Sequence, residues 1–176
     1  MALNLCKPTS VTTGGGSATI STNGSVRFAG ASSVSLNGVF KSDFQFYKIL
    51  FRTEAITSAG SIVASLRKSG TDNTSSYLSQ IANINGTSLS TFNTTAYNGA
   101  FINNCYGTWA GAAEIDVFSP FISKPTTFIV RNVSDQNYAS LYEGGTRHGV
   151  TDTFDGITFA KGTSMTGWVA VYGLSQ

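Results

Sequence analysis

Four residues near the C-terminal end are of types that do acid–base chemistry. Arg147 and His148 are adjacent, and Asp152 and Asp155 follow closely. An imidazole near carboxylates is common material for proton transfer. The same four also suit a polar loop leading into the last strands. Glu114 and Asp116 stand two apart in AEIDVF, on one face of a strand. Paired carboxylates can hold a cation or divide acid and base roles, but a solvent-facing strand shows the same pattern. Cys6 and Cys105 lie far apart, neither is in a CxxC pair, and His148 is the single histidine. That is too few ligands for zinc. The two thiols read as reduced and partly buried; a disulfide tying the N-terminal segment to the body is the alternative. Serines are abundant, but no GxSxG elbow is present. GGGSATIST lacks the GxxxxGK[ST] pattern of a phosphate loop. The expectation is a protein that is not an enzyme, with no catalytic residues, cofactor or metal.

Recognition is the other chemistry the side chains suggest. Tyr97, Tyr106 and Trp109 fall in one long middle segment with Asn98, Asn103 and Asn104. Aromatic faces beside amides suit sugar stacking or partner docking, and loops of β domains carry such sites. These three aromatics are the candidate partner or receptor loop. The alternative is that the rings only pin the loop to the body. N-glycosylation triplets begin at Asn73, Asn85, Asn93 and Asn132, among others. In a chain this rich in Asn, Ser and Thr they arise by chance.

The composition narrows the classes further. Only 11% of the residues are charged, against roughly 25% in a typical soluble domain. Hydrophobic residues make up 41%, and the polar remainder is Ser, Thr and Asn, with 19 glycines. A neutral, hydroxyl-rich surface suits contact with other protein surfaces better than life as an isolated monomer. The net charge of +2 is small and scattered, so no nucleic-acid partner is expected. No stretch approaches the roughly 20 apolar residues of a helical membrane span, and no secretory leader is recognisable. Synthesis in a cytoplasm and no membrane partner are the expectations.

Residues 1–24 contain Gly14–Gly16 and little large apolar content, and read as a short flexible arm. From residue 25 to 176 the pattern is strands. SVRFAG alternates around Val26 and Phe28, and SVSLNGVF places Val34 and Leu36 before Asn37-Gly38, a hairpin signal. FQFYKILF is nearly all apolar, as in a strand covered on both faces. SIVASLRK sets Ile62, Ala64 and Leu66 on one side, and AEIDVF does the same with Ile115 and Val117. YLSQIANINGTSLSTFN gives two strands around Asn85-Gly86. FDGITFAKGTSMTGWVAVYGLSQ reads as two strands joined by a short turn. In the second, Val169 and Val171 face one way and Trp168, Ala170 and Tyr172 the other. Frequent turn signals and no long amphipathic helix predict an all-β fold. The expected form is an antiparallel β-sandwich of jelly-roll type with about eight strands. Trp168, Tyr172, Phe44 and Phe46 are the candidate subunit interface, since aromatics concentrate at such contacts; a covering loop of the same chain is the alternative.

LNGVFKSDFQFYKILF (36–51), ASLRKSGTDNTSSYLSQ (64–80), FSPFISKPTTF (118–128) and the closing GWVAVYG resemble a family of tailed-bacteriophage virion proteins. The resemblance runs in scattered blocks from about Ser33 to Tyr172, and V-A-V-Y-G is its most specific part. It implies a non-enzymatic β-sandwich knob, often trimeric, on the virion surface. Its partners would be itself, as a homotrimer, and the major capsid protein or a tail protein. No binding residues carry over, because the shared motifs mark the core. Two roles stay open: capsid decoration as a cement protein, or a tail-tip or fibre knob that binds a host surface receptor or glycan.

Overall fold

The structure is a computed structural model that describes residues 2–95, 98–105, 110–134 and 140–175. The described residues form strands and turns, with no helix. The strands are β1 (Leu3–Leu5), β2 (Ser10–Gly14), β3 (Ser17–Ile20), β4 (Val26–Asn37), β5 (Phe46–Ile56), β6 (Gly60–Lys68) and β7 (Thr71–Asp72). There follow β8 (Tyr77–Asn85), β9 (Ser88–Thr94), β10 (Ala100–Cys105), β11 (Gly111–Phe118), β12 (Thr126–Ser134), β13 (Ser140–His148) and β14 (Gly156–Leu174). All fourteen belong to one sheet and every described pairing is antiparallel. The all-β antiparallel class is as expected; the strand number exceeds the expected eight. The surplus comes from short strands such as β1, β3 and β7, whose few large apolar side chains give weak alternation.

The sheet closes a core by bending, and β14 is its hinge. Its first part, residues 156–160, pairs with β6 on one side and the later part of β4 on the other. Its last part, from Met165 on, pairs with β5 and with the earlier part of β4. Between them the register with β4 breaks. Gly162 and Gly30, at φ of 76° and 66°, take the left-handed conformations at this corner, which cost glycine little. The expected terminal hairpin is therefore one long bent strand. Both halves pair with the same neighbour, and the turn-like AKGTS is the bend. Beyond the corner one layer runs β14–β5–β11–β12–β13–β8–β9, and β6 and β10 belong to the other. β10 lies over β12, β13 and β8.

Alternation put the right residues inside. Val26, Phe28, Ile62, Ala64, Leu66, Ile115, Val117, Val169 and Val171 are all buried in one core cluster. The expected double cover of FQFYKILF is only half seen: Tyr47, Ile49 and Phe51 are buried, while Phe46, Lys48 and Leu50 on the other face are partly open. Asn37-Gly38 does not turn a hairpin; β4 ends there and a loop carrying the buried Val39 and Phe40 leads to β5.

The stretch expected as a flexible arm is instead paired into the body. β1 adds to the end of β14, and β2 and β3 add to the two halves of β4. Val11, Ala18 and Ile20 pack against the core, and Cys6 is buried with its N–H donating to the Val171 carbonyl at 2.7 Å. Gly15 and Gly16 serve as a turn between two strands rather than as a joint.

Candidate functional site

The acid–base quartet is not assembled. His148 ends β13 facing inward and is fully buried. Its ring lies 4.6 Å from Tyr77 and 5.1 Å from Phe154, centroid to centroid. Its Nε2 is 3.2 Å from Asn73 Oδ1. Burial holds its pKa below the ordinary imidazole value. Arg147 points the other way and is exposed. The Asp152 carboxylate accepts from Lys68 Nζ at 2.7 Å, and Asp155 accepts the Ser69 N–H at 3.2 Å.

Glu114 and Asp116 do share a face, and Lys48 on the neighbouring strand answers both. Its ammonium is 3.0 Å from Asp116 Oδ1 and also donates to Glu114. Partial burial works against the Lys48 charge, but the two carboxylates outweigh it and raise the pKa. The same hydrogen bond holds Glu114 below the usual carboxylate range. The pair is an ion-pair cluster on a strand face. Among the described residues no group of three His, Cys, Asp or Glu side chains could hold a metal ion. Cys6 and Cys105 are both free and buried, and burial pushes both thiols up. No disulfide joins them.

Three of the four interface candidates share one face. Trp168, Tyr172 and Phe46 stand half-buried on the outer face of β14 and β5. Phe46 packs on Phe118 of β11 at 4.8 Å. Phe44 does not join them: its ring lies 5.9 Å from Tyr47 and covers Gly173, closing the end of the core. Tyr97, Tyr106 and Trp109 lie outside the described residues. Of their amide neighbours, Asn103 is buried in β10, and Asn98 is exposed with its carbonyl accepting from Ser65 at 2.5 Å.

What the sequence reading missed is how far the outer face extends. Register carries it across the whole layer. Trp168 stands opposite Arg52, Arg52 opposite Ala112, and Ala112 opposite Val133. Val133 then faces Leu141, Leu141 faces Ile84, and Ile84 faces Leu89. A second row crosses parallel to it, with Glu114, Arg131 and Glu143 in register. Arg131 Nε donates to Glu143 at 2.9 Å. A third row holds Lys48 and Asp116, and a fourth holds Phe46 and Phe118. Two largely apolar rows, interrupted by Arg52 in the first and Arg147 in the fourth, thus border a band of internally paired charge. Of the seven large hydrophobic side chains exposed among the described residues, six (Leu78, Ile84, Leu89, Phe118, Val133 and Leu141) are on this face, so it is the apolar side of the molecule. The alternation that hides one face of each strand says nothing of what its other face will meet on the next strand.

Two hollows lie on this outer face. One of about 330 Å³ is lined by Leu50, Arg52, Ala112, Val133, Leu141 and Trp168. The other, of about 640 Å³, lies over Ala82 between Gln80, Thr91, Asn93 and Glu143. The first is apolar and the second is rich in amide and hydroxyl groups.

No family model and no curated protein matches the chain. A solved structure from Shewanella oneidensis MR-1, described as a protein of unknown function, aligns with 97% of this chain and 78% of its own, at 8% identity. Its TM-score of 0.23 is too low for the likeness to carry an argument.

Proposed function

We propose that this chain is a non-enzymatic structural protein of a bacteriophage virion. In this reading it is a jelly-roll-type sandwich, made in the host cytoplasm and assembled as a homotrimer on the virion surface. It decorates the head shell as a cement protein, bound to the major capsid protein. The observation that carries the reading is the outer face of β14–β5–β11–β12–β13–β8–β9. Extended apolar patches on a surface mark protein contacts. Here the charges between the apolar rows are already paired within the chain, so covering them strands few unmatched ions. Val133→Glu with Leu141→Glu tests it. Both side chains point outward, so the double variant folds, with an unchanged circular dichroism spectrum, but is lost from assembled particles. Wild-type incorporation of the folded variant would sink the reading.

The polar hollow favours a second reading, a tail-tip or fibre knob that binds a host surface receptor or glycan. Gln80, Thr91, Asn93 and Glu143 offer the donors and acceptors that a polyhydroxyl ligand uses. Thr91→Ala with Asn93→Ala would then abolish adsorption to host cells while leaving particles intact.

A further inference from the structure

β9 is the last strand of its layer, and among the described residues its ladder is with β8 alone. The free side of such a strand is a row of backbone donors and acceptors. Natural sheets blunt that row with charge, proline, a bulge, extreme shortness or a covering segment. β9 reads SLSTFNT, without charge or proline, and it pairs with β8 over seven consecutive residues with no break in register. Residues 88–91 are exposed throughout.

The hairpin decides which groups are free. Asn85 pairs with Ser88 across the two-residue turn Gly86-Thr87. The closing pair of such a hairpin exchanges both hydrogen bonds, and the pattern then alternates. Leu89, Thr91 and Asn93 therefore turn their N–H and C=O groups away from β8. Their side chains stand on the outer face, where Leu89, at 69%, is the most exposed large hydrophobic residue described.

We propose that β9 is a two-fold contact, in which β9 of a second copy adds antiparallel, centred on Thr91. The occupant follows from the strand itself. Two neutral strands meet without like-charge repulsion. Full overlap requires Leu89 opposite Asn93 of the second copy, and those are positions whose backbone groups β8 leaves unused. The apolar row from Val133 through Leu141 and Ile84 ends at Leu89, so a second copy covers the open end of that row. The inference goes beyond the virion reading and stands without it: pairing is measured on the purified chain, incorporation on particles.

Thr91→Cys places one thiol from each copy on the two-fold axis, while Cys6 and Cys105 stay buried. Mild oxidation should give a dimer band on a non-reducing gel, reversed by reductant, and Thr87→Cys in the turn should give none. Thr91→Pro removes an N–H that β8 does not use, a change edge strands tolerate. In sedimentation velocity the wild-type chain should gain mass as concentration rises, and Thr91→Pro should lose that step. The proposal is overturned if Thr91→Cys stays monomeric, if Thr87→Cys cross-links equally well, or if folded Thr91→Pro associates as wild type does. Should Thr91→Pro fail to fold, the two cysteine variants decide alone.

Discussion

Around β14, Phe51 lies between Phe28 at 5.9 Å and Phe159 at 4.7 Å, both stacked on it, with Ile49, Met165 and Val169 buried alongside. Beneath β10 the interior is built differently. Asn103, Asn132, Ser134 and Ser140 are buried there, and Asn132 donates to the Ile102 carbonyl at 2.6 Å. Among the described residues the side-chain oxygens of all four find no hydrogen-bond partner. The apolar packing nearby is a small satellite cluster of Ile81, Phe101 and Tyr142, with Phe92 against it. One region is held by aromatic area removed from water. The other carries buried polar groups whose desolvation is only partly offset. The stable half of the molecule is thus the hinge strand and its neighbours. The β8–β9–β10–β13 side should open first in native-state hydrogen exchange.

Three substitutions sharpen or break that contrast. Phe51→Ala should cost about 3–5 kcal/mol, as large aromatic deletions in a packed core do, read as a lowered denaturation midpoint. A loss under about 1 kcal/mol would mean the stack is not where stability resides. Next in size is acid. His148 packs its imidazole against Tyr77 and Phe154, and burial depresses its folded pKa. The unfolded chain binds the proton more readily, so stability is undiminished above the unfolded imidazole value of about 6.5 and falls as pH drops below it. His148→Gln should flatten this slope in a series of urea melts, and an unchanged slope would assign the acid sensitivity to other groups. The smallest effect is expected beneath β10. Ser134→Ala removes a hydroxyl that has no partner among the described residues, so stability should stay within about 0.5 kcal/mol of wild type or rise. A loss above about 1.5 kcal/mol would show that the hydroxyl is bonded after all.

The same contrast explains what the sequence could reveal. Strands with large side chains at every second position, such as those around Val26, Ile62, Ile115 and Val169, were legible because period-two burial is a local property. Asn85-Gly86 marked its hairpin through turn chemistry, which is local too. The strands of residues 3–20 were not legible, since Thr, Ser, Ala and Gly carry little pattern. Nor was the bend of β14, which is visible only once β4 is seen to bend beside it. The outer face was glimpsed at Trp168, Tyr172 and Phe46. Its continuation through Val133, Leu141 and Leu89 depends on register between strands distant in the chain, which no local pattern encodes.

The central claim is that this chain is a shell component whose outer face is covered by neighbouring protein. Counting its copies per purified particle, by quantitative mass spectrometry against the major capsid protein, tests that claim most directly. The account predicts copies in fixed proportion to the capsid protein, on the scale of the whole shell. Absence of the chain from particles, or presence in only a few copies confined to the tail, would contradict it.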